Sequence, residues 1–377
     1  MSNILFISHS GYKGGAQYVL EYIVKHVCVN QNFRKIHLIY PRTHGTSFKN
    51  LFKGLPVIVK PIYFFVSPVK LYYQILMFFL NIPSFFQIAL YIIQNKIDTI
   101  YINSSVNLMP LTLASILKRK TVFHIHENSN DLSRMTPTYT RWVYRWILTK
   151  KHIYTIFVSN TSKDLWEQDL KIKFNTTQYT VLYSPIKRFS LNSSENKINS
   201  KVVLGFIGSI TKEKNIDIIL HSIKLIRNRN TQLNLSLLVC GDGPYRSELE
   251  ELATGLNIKN ELTIISAVDN VDLFFSQIDL LVQPSINESW GLVALEAMIA
   301  QKPVIMTNRS GLKEFFLDEV DCLYFDPCNS EHLSEMIESI QSEDIQKKLV
   351  ASAYKKILDY QFNDKFDRKI DELLVQD

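Results

Sequence analysis

Short apolar runs alternate with longer amphipathic segments along this chain, and the alternation occurs in two separate series. Each run has the length of a buried strand, and each intervening segment has the length of a crossover helix. Alternation of this kind predicts a doubly wound parallel sheet. The first series predicts strands at residues 4–8, 36–40, 99–103, 122–126 and 154–159, with crossover helices at 17–29 and 68–94.

The same pattern restarts after a polar tract at residues 192–200. A chain of 377 residues is also long for one hydrophobic core. We therefore predict two α/β domains, at residues 1–184 and 185–358, followed by a charged helix at 359–377 that could pack on either domain. The second series predicts strands at 201–207, 235–240, 262–265, 280–283 and 303–307, with helices at 214–227, 245–255 and 288–300.

The net charge of +6 is distributed unevenly between these halves. Residues 1–184 contain 21 Lys and Arg against 7 Asp and Glu, a net charge of +14, whereas residues 185–377 carry −8. A basic half favours an anionic partner, of which nucleic acid and anionic lipid are the obvious classes. No RNP-type or zinc-finger pattern occurs, so no nucleic-acid partner is predicted.

Cysteine use and the first residues indicate the compartment. The four cysteines form no CxxC pair in a chain of this size, which predicts neither a zinc site nor a disulfide framework. Residues 1–15 lack the basic region and the cleavage site of a signal peptide. Segment 71–93 is apolar, but Gln, Asn and Pro residues interrupt it, which favours a crossover helix over a membrane span. We expect a cytoplasmic protein.

Two small motifs in the first half lie where doubly wound sheets bind ligands. Gly14 and Gly15 follow the first strand and open a helix, so main-chain N–H groups there can approach a phosphate or a sugar. His124 and His126 alternate onto one face of a strand, and His126, at the carboxyl end, is better placed for a ligand. Taken alone, the first motif is as readily a plain turn, and a single histidine here is more often structural.

Two strand–loop–helix junctions mark the second half. At the first, Gly208 and Ser209 follow a strand, and Lys214 is predicted near a helix N-terminus beside the carboxyl end of that strand. At the second, Gly241 and Asp242 end a strand, and Asp242 is predicted to cap the next helix. Taken alone, these features also fit a solvated lysine and a simple turn.

The stretch from 284 to 298, PSINESWGLVALEAM, is the most informative part of the sequence. Glu288 lies in a loop after a strand, and Glu296 is predicted two turns into the following helix, with Gly291 near the helix start. Main-chain N–H groups at such a start can bind a diphosphate, and the two carboxylates can bind sugar and ribose hydroxyls. An N-capped helix with one exposed acid would explain this stretch alone.

Together these motifs resemble the family 4 retaining glycosyltransferases of bacterial polysaccharide synthesis, which have the GT-B fold of two Rossmann-like doubly wound domains facing a cleft. The resemblance covers essentially the whole chain, and its most specific element is Glu288 and Glu296 with seven residues between them. The supporting elements are Gly14-Gly15-Ala16, His126, Ser159-Asn160-Thr161, Gly208 with Lys214-Asn215, Gly241-Asp242-Gly243-Pro244, and Lys302-Pro303-Val304-Ile305 leading to Gly311.

The resemblance implies that the first domain binds the acceptor, the second binds a UDP- or GDP-sugar donor, and the last helix returns to the first domain. It implies catalytic roles for Lys214 at the diphosphate, for Glu288 at the transferred sugar, and for His126 at that sugar from the opposite domain. It also implies retention of configuration, no metal, and no cofactor besides the donor. The implied donor-binding residues are Gly14, Gly15, Gly208, Ser209, Lys214, Gly241, Asp242, Ser289, Trp290, Gly291, Leu292, Val293 and Glu296.

One residue departs from the family pattern. Ser209 stands where the family usually has Arg directly after the glycine, which removes one diphosphate contact. Lys212 could compensate, or the site could depend more on Lys214 and main-chain donors. Ser209 favours one alternative, a degenerate subunit that binds without turnover. A soluble enzyme acting on a small acceptor, or an epimerase, is a separate alternative, and the charge asymmetry argues against the soluble enzyme.

A basic and aromatic segment in the first half indicates where an anionic membrane would bind. At helical spacing Trp142 lies beside Trp146, and Arg141 lies beside Arg145. Such a segment suits an anionic membrane surface, and a core helix with a basic outer face explains it as well. We predict a peripheral protein on the inner face of the cell membrane that extends a lipid-linked or polysaccharide acceptor. The predicted surface comprises Arg141, Trp142, Arg145, Trp146, Lys150 and Lys151.

Overall fold

The chain divides into two compact units, each with its own parallel sheet. The amino-terminal unit comprises Met1–Pro185 and Asn363–Asp377, and the carboxy-terminal unit comprises Ile186–Phe362. The polar tract at 192–200 lies outside the described residues. The computed structural model describes residues 2–11, 14–30, 32–42, 47–64, 71–128, 138–186, 201–229, 232–268, 270–360 and 362–375.

The described strands of the amino-terminal unit are β1 (Asn3–Ile7), β2 (Lys35–Pro41), β3 (Val57–Ile62), β4 (Thr99–Asn103), β5 (Lys120–Ile125), β6 (Ile153–Phe157) and β7 (Tyr179–Val181). They form one parallel sheet in the order β3-β2-β1-β4-β5-β6-β7. The order reverses between β1 and β4, which is the switch point where doubly wound sheets bind ligands.

The helices that follow these strands are α1 (Gly15–Asn30), α2 (Ser47–Asn50), α3 (Leu71–Gln94), α4 (Leu108–Ile116), α5 (Thr138–Leu148) and α6 (Asn160–Leu170). Strands of a doubly wound sheet are covered on both faces, which is why β1 and β4 are apolar runs and are almost completely buried. Large rings fill the core, with Trp166 and Tyr144 at 5.3 Å between centroids. The Ser159 hydroxyl accepts from Ser162 N at 3.0 Å and so fixes the start of α6.

The described strands of the carboxy-terminal unit are β8 (Lys201–Ile207), β9 (Asn234–Cys240), β10 (Leu262–Ile265), β11 (Leu280–Gln283), β12 (Val304–Thr307) and β13 (Leu323–Phe325). They form a second parallel sheet in the order β10-β9-β8-β11-β12-β13, with its reversal between β8 and β11. The predicted fold class, two Rossmann-like doubly wound domains, is confirmed.

The helices of this unit are α7 (Asp217–Asn228), α8 (Arg246–Gly255), α9 (Val271–Phe275), α10 (Leu292–Ile299), α11 (Ser330–Ser339) and α12 (Glu343–Tyr360). Short 3-10 turns occur in the described part of this unit at Lys212–Lys214, Lys259–Glu261 and Gly311–Glu314. The core of the unit lies between its sheet and these helices, with Leu204, Val239 and Ile305 fully buried.

The last helix, α13 (Phe362–Val375), packs within the amino-terminal unit for nearly its whole length. Phe366, Ile370 and Leu374 recur every fourth residue and form its buried face. Tyr22 of α1 donates its hydroxyl to Asp367 at 3.1 Å, and the Phe366 ring meets the Tyr22 ring edge-on at 5.9 Å. α13 therefore completes the layer of helices around α1.

Sequence reasoning missed three strands and placed two helices too early. β3 is half-exposed and contains Pro61, while β7 and β13 have only three residues each, so none produces a clear apolar run. The helix predicted from 214 begins at Asp217, because Asn215 is left-handed at φ +55° and ends the 3-10 turn that contains Lys214. The helix predicted from 288 begins at Leu292, because Gly291 has φ +109°.

Candidate active site

Two glycine-rich loops lie side by side at the carboxyl edge of the second sheet. Gly208, after β8, donates its N–H to Cys240 O at 3.0 Å, and Ile210 donates to Asp242 O at 3.0 Å. A Cβ atom at Gly241 would lie 1.9 Å from Gly208 O, and one at Gly243 would lie 2.1 Å from Ile210 O. The main chains of the two loops therefore pack directly against each other, and only glycine fits at these positions.

The turn after the first glycine loop places Lys214. Asn215, in its left-handed conformation, donates its side-chain amide to Pro284 O at 3.2 Å and to Pro327 O at 2.8 Å. These bonds tie the turn to the loops after β11 and β13. Lys214 is thereby held at the carboxyl edge of the sheet, although it lies in a 3-10 turn and not at the helix N-terminus that the sequence predicted.

Lys214 and Glu288 form an ion pair. Lys214 Nζ donates to Glu288 Oε2 at 2.8 Å, and the Ser285 hydroxyl donates to the same oxygen at 3.0 Å. The Glu288 side chain is 14% exposed and the Lys214 side chain is 34% exposed, so the pair is accessible from solvent mainly on the lysine side. The structure brings together two residues that lie 74 positions apart and that the sequence assigned to one site.

The main chain of Glu288 is fixed as firmly as its carboxylate. Glu288 N donates to Arg309 O at 3.1 Å, and its carbonyl oxygen accepts from Gly311 N at 3.0 Å. These two bonds form an isolated parallel bridge to Ser310, whose hydroxyl donates to Trp290 O at 3.1 Å. Glu288 therefore lies on a rigid loop between β11 and α10.

Helix α10 begins directly beside this loop. Gly291 is its N-cap, so the N–H groups of Leu292 and Val293 belong to the first turn, which has no acceptors within the helix. Such groups, together with the helix dipole, favour an anion. Glu296 is the fifth residue of α10 and is half-buried, one turn from the helix start instead of two because the helix begins at Leu292.

Two neighbours of this helix start differ in exposure. Ser289 is half-buried, whereas Trp290 is 2% exposed and packs on Phe362 with 6.2 Å between ring centroids. The Trp290 side chain is thus buried within the carboxy-terminal unit, and only its main chain borders the start of α10.

Gln283 is a residue of this edge that sequence reasoning missed. It ends β11, it is 6% exposed, and its Oε1 has no hydrogen-bond partner among the residues that the structure describes. A Cβ at Gly291 would lie 3.1 Å from that oxygen, so the amide lies directly under the start of α10. The signal was present in the sequence, because Gln283 is the polar residue that closes an otherwise apolar strand.

Asp242 does not cap α8, contrary to the sequence prediction. The N-cap is Tyr245, and Asp242 instead pairs with Arg246 at 3.1 Å. Gly243 and Pro244 extend the loop, so Asp242 lies too far from the first helical N–H groups to reach them. Tyr245 donates its hydroxyl to Asp217 at 2.7 Å, a hydrogen bond that raises the pKa of Tyr245 to about 12.

The amino-terminal unit has its own polar group at the switch point. His126, just beyond β5, contacts Asn103 Oδ1 through Nε2 at 2.9 Å, and Asn103 donates to Ala16 O at 3.0 Å. Gly14 and Gly15 precede Ala16 at the start of α1, where a Cβ at Gly14 would lie 2.7 Å from Gln17 Oε1. His126 and the glycine turn, which the sequence assigned separately, are therefore connected.

Burial lowers the pKa of His126 to about 4, so the ring is neutral at physiological pH. The adjacent Glu127 accepts from the hydroxyls of Ser104 and Ser105 and from Ser105 N at 2.9 Å. Burial alone would raise the pKa of Glu127, but His126, His9 and the serine hydrogen bonds outweigh it and lower that pKa. Glu127 is a second residue that the sequence analysis did not assign, although an acid directly after a buried strand is unusual.

Helix α5 carries the predicted membrane residues. Trp142 is 70% exposed and Trp146 is 42% exposed, while Tyr144 on the opposite face is buried. Arg145 is exposed, and Lys150 lies over the Trp146 ring at 4.4 Å. Arg141 instead turns to Asp169 in an ion pair of 2.9 Å, and Lys151 is exposed after the helix. Both expected explanations, a core helix and an amphipathic surface helix, fit this geometry.

Helix α3 also presents apolar side chains to solvent. Phe79, Phe86 and Leu90 are each at least 55% exposed, whereas Ile88 and Ile92 pack into the core. Within the described part of the chain, no helix combines the length and the hydropathy needed to cross a bilayer. Nor do the described His, Cys, Asp and Glu side chains form a group of three that could hold a metal ion.

Comparison with known proteins identifies relatives of this arrangement. Residues 188–356 match the family model of the glycosyl transferases group 1. An uncharacterized glycosyltransferase of Methanocaldococcus jannaschii is 30% identical over 202 residues, which cover 49% of this chain and 51% of that protein. A D-inositol 3-phosphate glycosyltransferase of Salinispora tropica is 34% identical over 134 residues, covering 33% of this chain and 28% of that protein. The chain thus spans about half or less of the length of these curated relatives.

Solved structures match over nearly the whole chain. Anabaena HepE, determined in complex with UDP and glucose, has a TM-score of 0.78 at 19% identity and covers 99% of both chains. WaaG, a glycosyltransferase involved in lipopolysaccharide biosynthesis, has a TM-score of 0.74 at 15% identity, covering 99% of this chain and 100% of that one. The chain therefore has the two Rossmann-like units of the GT-B glycosyltransferases, and its residues 188–356 match the group 1 glycosyl transferases.

Proposed function

We propose that this chain is a glycosyltransferase that takes a hexose-type sugar from a nucleotide-diphosphate donor. The observation that carries the proposal is the Lys214–Glu288 ion pair of 2.8 Å on the rigid loop that leads into α10. The pair holds a cation on the loop that leads into the main-chain N–H groups of a helix start, and a cation together with such groups is suited to a diphosphate. The match of residues 188–356 to the group 1 glycosyl transferases supports the same reaction class.

In this proposal the carboxy-terminal unit binds the donor. Lys214 and the N–H groups of Leu292 and Val293 bind the diphosphate, while Glu296 accepts hydrogen bonds from ribose hydroxyls. Glu288 binds the transferred sugar. When the diphosphate is bound, Lys214 interacts with both the Glu288 carboxylate and the diphosphate. The loops at Gly208 and Gly241 pack closely and carry no side chains at these two positions, so the donor can lie directly against the main chain. UDP-sugars are the first donors to test, because the HepE structures contain UDP.

Retention of configuration and independence from metal belong to the same proposal. Lys214 and the start of α10 supply positive charge to the leaving diphosphate, which is the task that a divalent cation performs in other transferases. In a retaining reaction of this kind the leaving phosphate itself accepts the acceptor proton. Proton NMR of the first product formed would show whether the new glycosidic bond keeps the donor configuration.

We further propose that the acceptor is lipid-linked or a growing polysaccharide and that the enzyme binds reversibly to the inner face of the cell membrane. The exposed Trp142, Arg145 and Trp146 on α5 and the exposed apolar residues of α3 support this placement. Arg141 contributes less than its charge suggests, because it is already paired with Asp169. A soluble enzyme on a small acceptor remains the alternative, and vesicle binding distinguishes the two.

Donor turnover with matched variants tests the reaction. Lys214→Ala should weaken UDP binding about tenfold or more, since a charge-assisted hydrogen bond contributes roughly 1.5–3 kcal/mol. Glu288→Gln should reduce turnover by about 100-fold with a much smaller effect on UDP affinity. Lys259→Ala is the control and should behave like the wild type, because this exposed lysine precedes β10 at the opposite edge of the same sheet. If Lys214→Ala binds UDP normally, the proposed donor site is wrong.

A non-catalytic binding subunit is the second candidate, and Ser209 is the observation that favours it. Ser209 is exposed at the end of the first glycine loop, where the resembled family usually carries Arg. Ser209→Arg supplies that cation without disturbing the buried core. If the wild type binds UDP but transfers no sugar from any donor, while Ser209→Arg gains turnover, the degenerate-subunit interpretation is correct.

A further inference from the structure

The amide of Asn103 is completely fixed by its neighbours. Asn103 is fully buried at the end of β4, and its main-chain carbonyl oxygen accepts from the side-chain amide of Asn107 at 2.7 Å. Its side-chain nitrogen donates to Ala16 O at 3.0 Å, in the first turn of α1. Its side-chain oxygen lies 2.9 Å from His126 Nε2. Asn103 therefore joins three elements of the switch point: β4, α1 and the loop after β5.

The chemistry of these contacts determines which way the amide points. A main-chain carbonyl can only accept, so the atom of Asn103 that faces Ala16 O must be the NH2 group. The opposite orientation would place two acceptor oxygens against each other. Oδ1 therefore faces His126, and because Oδ1 can only accept, the proton of the neutral ring must be on Nε2.

We propose that Asn103 is the positioning residue for His126: it holds the ring as the neutral Nε2–H tautomer and ties the ring to the glycine turn that opens α1. In this tautomer the single ring proton is on the nitrogen that faces Asn103, and Nδ1 carries none. This inference rests on the proposed function and on the role that the family resemblance implies for His126, contact with the transferred sugar.

The titratable groups around His126 are consistent with a neutral ring. The His124 ring of β5 lies against it, tilted by 35°, with 4.0 Å between centroids, and the Tyr101 hydroxyl of β4 lies 2.6 Å from His124 Nδ1. Burial lowers the pKa of His124, so both adjacent rings are uncharged. His9, after β1, disfavours a cation at His126, whereas Glu127 favours one but is already bound by two serine hydroxyls.

Long-range proton–nitrogen NMR of the full chain labelled with 15N-histidine tests the tautomer. We expect the His126 signals, assigned with His126→Gln, to show a protonated Nε2 and an unprotonated Nδ1 from pH 8 to pH 5. Asn103→Asp should raise the His126 pKa by at least one unit, because a carboxylate then faces Nε2. The turnover of Asn103→Asp should consequently rise with pH over a range where wild-type turnover is flat.

Asn107→Ala is the matched control. It removes a bond to the main chain of Asn103 and so perturbs packing at the same place, but it leaves the amide of Asn103 in contact with the ring. It should lower the melting temperature without changing the His126 tautomer. A wild-type ring protonated at Nδ1, or an Asn103→Asp variant with unchanged His126 titration, would overturn the inference. The expected tautomer with normal turnover of His126→Gln would instead refute a role of that ring in transfer.

Discussion

Replacing Gly241 with alanine should destabilise the carboxy-terminal unit and weaken nucleotide binding at the same time. The added Cβ would lie 1.9 Å from Gly208 O, whereas real Cβ contacts essentially never fall below 3.0 Å. The two loops must therefore separate by about 1 Å or more, since neither atom belongs to a flexible side chain. That separation breaks the surface on which we place the donor diphosphate.

The free-energy cost follows from three contributions. The backbone of residue 241 has φ +151°, where an L-residue costs about 1–2 kcal/mol. The hydrogen bonds from Gly208 N to Cys240 O and from Ile210 N to Asp242 O each contribute about 0.5–1.5 kcal/mol and would lengthen. We expect a total loss of about 2–5 kcal/mol, which corresponds to a fall in Tm of about 5–15 °C for a domain of this size.

Calorimetry would measure both effects on the same samples. Gly255→Ala is the matched control, because nothing lies within 4 Å of a Cβ at that helix end and alanine is the better helix former. The control should be as stable as the wild type or slightly more stable, with unchanged UDP affinity. We expect Gly241→Ala to bind UDP about tenfold more weakly or worse, since the main-chain groups placed against the diphosphate move away and each hydrogen bond to a charged group contributes roughly 1.5–3 kcal/mol. A Gly241→Ala variant that matches the control in both Tm and UDP affinity would refute the loop argument.

Four further outcomes are expected. Glu296→Ala should weaken UDP binding by about 1.5–3 kcal/mol in calorimetry, because ribose hydroxyls lose a charged acceptor; unchanged affinity removes Glu296 from the site. Activity should survive EDTA, and complete loss that manganese restores would indicate another mechanism. The protein should sediment with anionic vesicles but not with neutral ones, and Arg145→Glu should release more of it than Arg141→Glu, since Arg141 is paired within the fold; equal binding to neutral vesicles would implicate the apolar face of α3. Finally, the folded pKa of His126 is lowered to about 4, so the folded state binds fewer protons and loses stability as pH falls below the unfolded value near 6.5. The loss should reach roughly 2 kcal/mol at pH 5 in denaturant titrations and should shrink in His126→Gln.

The sequence predicted those parts of the fold that depend on local pattern. The strands at 99–103, 262–265 and 280–283 appear with the predicted bounds, because each is an apolar run that ends at a polar residue or a turn. The strand β3 could not be found in this way, because its edge position leaves its side chains half-exposed. Edge strands carry less of the apolar signal on which the prediction depends.

In the candidate site too, some residues were predicted from the sequence and others were found only in the structure. The family resemblance assigned Glu288 and Lys214 to one site, and the structure places the two side chains 2.8 Å apart. The prediction that Asp242 caps α8 was wrong, because the loop continues through Gly243 and Pro244 and the helix begins only after Tyr245. The length of such a loop depends on its geometry, which residue spacing does not reveal. Asn103 and Gln283 were missed for another reason: each is one polar residue at the end of a buried strand, and its importance appears only when its partners from other elements are known.

The position of α13 has a consequence for how the chain folds as it is made. The amino-terminal unit includes Asn363–Asp377, so the whole carboxy-terminal unit is inserted into it. The bond between Tyr22 and Asp367 spans 345 positions, and the buried face of Phe366, Ile370 and Leu374 is synthesised after the whole inserted unit. During translation the inserted unit can form its core as soon as it emerges, while the outer surface of α1 stays uncovered until α13 has been made. Nascent protein would therefore carry an uncovered apolar strip on α1 during this interval, and a deletion of α13 would leave the strip uncovered permanently.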